Sequence, residues 1–411
     1  MCQLKPLQSS LGKPAEGDDN YFSRPHITKK IRREITNGEN ILISAPRRIG
    51  KSSMLKDIQA NPDSDPNKEQ GQIIKYLFVQ SVDNSKQFFR QLFTELIRDD
   101  AVYSGAEAYY KHASYALKVF FSKLRGVSIE GGLNIDAHDS INYYHECNEL
   151  LSHLKDKSLL VIIDEFPDAL NNIYKEDRDL SIQFLQQHRD LRQKFSEANV
   201  QFIYTGSTGL RNVVTKIGKL DLINDLVEIT VPPFSKNEAK CLIQCLQLGY
   251  QQEEPDFELT PQQIDYILEK ITWYLPFYLQ AIVHALFNRY EDTHKTTAIS
   301  DIDVVLLDMT KAKSPYSPYF ENWLKRLEQA FDKEELKVAI EILNHIAINH
   351  KIDETQLKEL TASLPTGGKK FIMQTLEYDG YINEHSNEHS NEQYQFNSIL
   401  LKKWWVENVV K

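Results

Sequence analysis

Residues Ile41–Ser53, ILISAPRRIGKSS, constrain this chain more than any other stretch. An apolar run leads into a short turn, and Gly50-Lys51-Ser52-Ser53 then opens a helix-compatible segment. A buried strand that fixes such a turn aims successive backbone N–H groups into one concavity, and the new helix adds its positive dipole end. The candidate cradle is therefore Ala45, Pro46, Arg47, Arg48, Ile49, Gly50, Lys51, Ser52 and Ser53. Its ligand class is a nucleotide polyphosphate, ATP or GTP. Lys51 supplies a mobile positive charge and Ser52 a hydroxyl for Mg²⁺. The phosphate-loop pattern is G-x-x-x-x-G-K-[ST], and its first glycine is Ala45 here. Alanine fits only if its backbone stays out of the left-handed region. Gly-Lys-Ser by itself arises by chance in roughly one chain in five of this length, so context has to carry the assignment.

That context is Leu159–Asp168, LLVIIDEFPD. Five consecutive aliphatic residues predict a strand buried on both faces of a parallel sheet. It ends in two carboxylates, the Walker B arrangement. Asp164 would orient Mg²⁺, largely through water, and Glu165 would polarise the attacking water. The plainer alternative is a strand followed by a solvated acidic turn. Two such motifs, each closing a strand, favour nucleotide binding.

The 411 residues suffice for two or three domains, and 41% apolar with 26% charged residues describes an ordinary globular composition. No run reaches the ~18–20 apolar residues of a membrane span. Residues 1–20 are polar, lack the apolar core of a signal peptide and predict a flexible tail. Cys241 and Cys245, one helical turn apart, read as half-buried thiols. These features predict a cytoplasmic protein that does not engage a membrane. A net charge of −10 gives no general support for a polyanionic partner.

Along the chain, helix 27–35 precedes the first strand, and strands follow at 73–79, 159–164, 200–204 and 226–231. Strands separated by helices predict a three-layer αβα core on a parallel sheet. The 200–204 strand runs into Thr205-Gly206-Ser207, so Thr205 and Ser207 are candidates to touch a γ-phosphate or water. Residues 126–135 predict a hairpin. After Ser235, whose pairing with Glu238 predicts a capping box, the chain turns helical. Three helices within 331–378 and a hairpin closing at 394–396 predict a winged helix-turn-helix. The expected domains are a tail (1–20), a core (21–233), a helical lid (234–325) and a winged helix (326–411). The hairpin tip repeats Asn-Glu-His-Ser, and its His385 and His389 read as solvated.

With these motifs in hand, the chain resembles the archaeal-type and related STAND ATPases of the AAA+-like P-loop class, which include origin-recognition-like proteins. The resemblance spans roughly residues 21–411. It rests on Pro46–Ser53, Asp164-Glu165-Phe166, Phe202–Leu210, Pro276 within WYLPFYLQ, and the ending 396–405. Tyr21–Arg24 is similar to an entry segment that packs near the adenine, implying that Phe22 and Arg24 are cofactor-binding and that the base is adenine. Ser23, Ala45 and Tyr274 each stand where that family has glycine. The resemblance implies an ATP- and Mg²⁺-dependent switch with slow or partner-stimulated hydrolysis, Lys51 and Glu165 acting catalytically and Pro276 facing the nucleotide from the lid. It also implies an arginine that completes the transition state, with Arg211, Arg192 and Arg48 as candidates; a surface arginine paired with a carboxylate is the alternative for each.

Three functions follow. In one the winged helix meets a protein partner, a second copy or the core itself; in the second it binds DNA as in origin-recognition or transposition regulators; in the third the chain is a nucleotide-binding scaffold. Residues 326–411 carry 14 acidic residues against 10 Lys and Arg, which favours protein over DNA.

Overall fold

The computed structural model describes residues 4–11, 13–17, 20–61, 72–111, 114, 117, 118, 120, 140–154, 158–196, 199–206, 209–385 and 392–410. The predicted hairpin at 126–135, and Ser207, lie outside them. The chain falls into two compact units. One comprises Arg24–Ser44 with Leu55–Thr230, the other Met1–Ser23, Ala45–Met54 and Val231–Lys411.

The first unit is built on five parallel strands: β1 (Ile41–Ser44), β2 (Ile73–Phe78), β3 (Leu159–Asp164), β4 (Val200–Thr205) and β5 (Val227–Thr230), in the spatial order β2-β3-β4-β1-β5. β3 and β4 are buried at every position, as central strands must be when helices cover both faces. Strand alternation sends Leu42, Val161, Ile163, Phe202 and Tyr204 into one core with helices 85–97, 143–152, 166–176, 178–194 and 210–217. The amphipathic helix Pro25–Thr36 buries Ile27, Ile31 and Ile35 and contacts β1. This is the predicted αβα arrangement.

Parallel strands place all their carboxyl ends on one edge of the sheet, so Ser44, Asp164 and Thr205 end on the same side. Asn40 fixes the register at the other edge. Its side-chain oxygen accepts from Phe202 N–H at 2.9 Å, and Gln201 Nε2 donates to the carbonyls of Ile35 and Glu39.

The second unit contains helices Lys236–Tyr250, Pro261–Ile271, Pro276–Thr293, Ile299–Thr310, Ser317–Ala330 and Lys333–Asn349. The predicted Ser235–Glu238 capping box forms, and Thr260 with Gln263 makes another. Beyond them come β6 (Ile352–Asp353), helices Glu354–Leu360 and Gly368–Tyr378, β7 (Ile382–His385), β8 (Gln393–Phe396) and helix Ile399–Asn408. The three strands pair antiparallel in the order β6-β8-β7.

Aromatic packing joins residues on both sides of position 325. Trp323 Nε1 donates to the Tyr278 hydroxyl at 2.9 Å, and the Tyr381 hydroxyl donates to the Trp323 carbonyl. Phe320 stacks on Tyr278 and on Trp404. Such contacts bury large rings while satisfying their polar tips.

Two features of this unit differ from expectation. The N-terminal segment is packed: Leu7 is 1% exposed and its N–H donates to the Cys245 carbonyl at 2.9 Å. A Cβ at Gly249 would lie 2.0 Å from the Leu7 carbonyl oxygen, so the segment crosses this helix where there is no side chain. Ser10 N–H then reaches Gln280, and Ala15 N–H reaches the Ser53 hydroxyl at 2.9 Å. A single apolar anchor and backbone hydrogen bonds order a stretch whose composition reads as polar tail. Cys241, expected as a thiol, is disulfide-bonded, whereas Cys245 is a free buried thiol. Among the described residues no helix is long and apolar enough to cross a membrane.

Candidate functional site

The loop that leaves β1 has the backbone its sequence demands. Gly50 sits at φ +91°, a conformation that strains any L side chain, and a Cβ built there would meet nothing within 4 Å. The helix Lys51–Ala60 starts at the next residue, so its first N–H groups face the turn. Lys51 is 7% exposed and curls onto its own loop, donating to the carbonyls of Ala45 at 3.1 Å and Pro46 at 3.3 Å. An ammonium held in a concave turn at a helix N-terminus is a fit for phosphate oxygens.

Ala45, Ser23 and Tyr274, the three departures from glycine, all keep φ out of the positive region. Each side chain is therefore accommodated without backbone strain. In the 272–276 turn the left-handed residue is instead Thr272, at φ +50°. Pro276 occupies the first turn of helix 276–293, where its missing N–H costs no hydrogen bond.

Residues 46–48 are not turned wholly toward a ligand. The Arg48 guanidinium lies 3.8 Å from the Phe277 ring centroid and 4.8 Å from that of Tyr319. Arg48 has φ +64°, its Nε is buried without a hydrogen-bond partner, and burial pulls its pKa below the ordinary value. Arg47 hydrogen-bonds Asn322. A Cβ on Gly380 would lie 3.1 Å from Pro46 Cβ and 2.8 Å from Trp273. Three consecutive loop residues thus touch helices 276–293 and 317–330 and the turn before β7. The sequence pattern places all three in the phosphate cradle; the aromatic residues at 277 and 319, in the first turns of their helices, were the available signal for these further contacts.

In the sheet unit, Asp164 ends β3 and is 1% exposed. Its Oδ2 accepts from the Tyr76 hydroxyl on β2, and its Oδ1 accepts from Glu165 N–H at 3.1 Å. Glu165 adopts the left-handed conformation (φ +61°, ψ +32°), and Pro167 follows at the start of helix 166–176. This strained corner fits against the end of β4: a Cβ on Gly206 would come within 2.5 Å of Pro167 Cδ and 3.3 Å of Glu165 Oε2. Asp164 is a hard oxygen donor suited to Mg²⁺. Among the described residues no group of three or more His, Cys, Asp or Glu could hold a metal, so an ion at Asp164 would take most of its shell from phosphate and water.

Other predicted residues are engaged elsewhere. The Thr205 hydroxyl is fully buried and donates to the Ile43 carbonyl of β1 at 3.3 Å, which commits it to the sheet and away from a ligand. Arg192 is 2% exposed and bidentate to Asp225 at 2.7 and 2.8 Å, with further bonds to the Leu222 carbonyl and the Tyr204 hydroxyl. That geometry is a fold brace. Arg211, on helix 210–217, pairs with Glu228 of β5 at 2.7 Å and is half exposed. Phe22 packs on Phe234 at 5.3 Å in the second unit, and Arg24 is buried at the entry to helix 25–36 in the first. Behind Phe166, His188 is buried among Phe88, Phe184 and Tyr204, its Nδ1 3.1 Å from the Tyr204 hydroxyl. Burial, with Arg192 nearby, pushes its pKa well below the ordinary histidine value.

No family model and no curated protein matches the chain. Solved structures do. The Walker-type ATPase of Pyrococcus abyssi is similar over 96% of this chain and 98% of that one, with a TM-score of 0.61 at 15% identity. The ORC2 protein of Aeropyrum pernix, solved as ADPNP–ADP complexes, is similar over 94% and 92%, with a TM-score of 0.53 at 9% identity. The chain has the fold of these P-loop ATPases along nearly its whole length.

Proposed function

We propose that this protein is an ATP-binding and ATP-hydrolysing switch of the archaeal-type/STAND class, whose phosphate loop passes its nucleotide state to a C-terminal winged helix. The observation that carries this reading is the seating of Pro46, Arg47 and Arg48 against Gly380, Asn322, Phe277 and Tyr319. A loop that must rearrange around a triphosphate pulls on those side chains directly. The similarity to a protein solved with ADPNP and ADP supports adenine nucleotide as the ligand.

In this scheme Lys51 and the first N–H groups of helix 51–60 bind the phosphates, while Ser52 and Asp164 hold Mg²⁺. The ion would neutralise charge on the phosphates. Glu165 orients and deprotonates the attacking water. Arg211 is the one of the three candidate arginines that is itself half exposed, paired with Glu228, so it is the transition-state candidate. Phe22 and Arg24 remain the candidates to receive the adenine.

The partner is a protein surface, a second copy of the chain or the core, rather than DNA. Lys369, which could have met a phosphate, is paired with Glu354. Burial and the neighbouring Glu384 and Glu392 raise the pKa of Glu377 on the same helix, and Tyr394 is pushed up to about 12 by burial and these carboxylates. An acidic hairpin face repels a phosphate backbone.

The test is calorimetry with ATP–Mg²⁺ combined with hydrogen exchange. Wild type should bind and change protection within 317–330 and 368–396; Lys51→Ala should bind at least about 100-fold more weakly and change neither segment. No heat with wild type would overturn nucleotide binding. A salt-dependent gel shift with duplex DNA would reverse the choice of partner.

A further inference from the structure

Asp164 is held from the neighbouring strand, and that contact has a chemical consequence. In the β2–β3 register Phe78 lies opposite Asp164 and Tyr76 opposite Ile162. Residues two apart on a strand share a face, so the Tyr76 ring leans along the sheet and brings its hydroxyl to Asp164 Oδ2. Glu165 N–H holds the other oxygen. These two donors come from different strand positions and act on different oxygens, which constrains the plane of the carboxylate.

We propose that Tyr76 is a positioning residue for the metal-facing carboxylate Asp164, an inference that rests on the nucleotide–Mg²⁺ reading above. Phenylalanine would fill the same space against β3, so packing alone does not call for the hydroxyl. A carboxylate that is 1% exposed needs hydrogen-bond donors for its oxygens, and the Tyr76 hydroxyl supplies one. The effect extends to the hydrolytic side. Asp164 Oδ1 accepts from the Glu165 N–H, Glu165 is in the left-handed conformation, and Pro167 is wedged against Gly206. A carboxylate free to rotate at 164 would release the N–H that helps hold this corner. Lys56 Nζ lies 5.9 Å from the centroid of the Tyr76 ring, on the helix that begins with Lys51.

Partners that orient a metal-binding group commonly change metal affinity by about 10–100-fold when removed. The experiment titrates Mg²⁺ into full-length protein holding a fluorescent ATP analogue, and separately measures analogue affinity in EDTA. Tyr76→Phe should need at least about 10-fold more Mg²⁺ while its metal-free affinity is unchanged, which a merely structural role would not produce. In an Asp164→Ala background the same substitution should add nothing, since its acceptor is gone. Equal Mg²⁺ midpoints for wild type and Tyr76→Phe would overturn the inference and leave nucleotide binding intact. A wild-type protein that binds no analogue with or without Mg²⁺ would overturn the nucleotide reading itself.

Discussion

At the end of β3 the polar groups belong to one another: Asp164 is held by the Tyr76 hydroxyl and the Glu165 N–H, and Glu165 follows in a strained backbone conformation. At the end of the adjacent β4 they belong to the fold. Thr205 donates to the β1 backbone, and Tyr204, one residue earlier, is tied to His188 and Arg192. Both strands deliver polar residues to the same edge of one sheet. The difference lies in reach. A short hydroxyl finds the neighbouring strand's carbonyl, whereas a carboxylate has no backbone donor in the ladder and must recruit partners outside it. Strand position alone therefore does not mark a residue as catalytic.

The largest effect that separates the two ends is on stability. Removing the cation from a buried pair typically costs about 3–5 kcal/mol, so Arg192→Ala should lower unfolding free energy by that order in urea. Arg211→Ala, half exposed, should stay within about 1 kcal/mol. If Arg211→Ala instead slows phosphate release at unchanged stability, this arginine joins the chemistry and the comparison sharpens.

The next effect is on turnover. Glu165→Gln should cut phosphate release at least about 100-fold and leave ATP affinity within about 3-fold by calorimetry. Thr205→Val should leave both untouched and cost about 1 kcal/mol of stability. Loss of turnover in Thr205→Val would break the assignment of β4 to structure.

The smallest effect is on pH dependence. The folded-state pKa of His188 is depressed, so the folded protein keeps it neutral while the unfolded chain takes up a proton as pH falls through about 6.5. Its contribution is present above that pH and lost below it, by about 1.4 kcal/mol between pH 7.5 and 5.5. His188→Gln should flatten this part of the stability profile, and identical slopes would show that the imidazole is not held neutral.

Much of the site was legible because its signals are local. ILIS and LLVIID are runs that only a doubly covered strand explains, and Gly50 supplies a φ that no other residue takes without strain. Tyr76 was not legible. Within IIKYLFV it reads as one more strand residue, and its function depends on the strand that pairs with β2. Arg47 and Arg48 were legible only in part: basic residues in a phosphate loop suggest an anion, and the positions of Phe277, Tyr319 and Asn322 show what their side chains also touch. Leu7 likewise gave no sign that a polar N-terminal stretch would be anchored on helix 236–250.

By itself the sequence determined the parallel αβα core, the glycine turn that opens a helix at 45–53 and the acid pair at 164–165, since each follows from periodicity or backbone chemistry within a few residues. The tertiary structure decided which polar groups remain for chemistry: it gave Thr205 to the sheet, Arg192 to Asp225 and Arg48 to two aromatic rings. A side chain's hydrogen-bonding capacity is written in its identity, but whether that capacity is already spent depends on partners tens to hundreds of residues away.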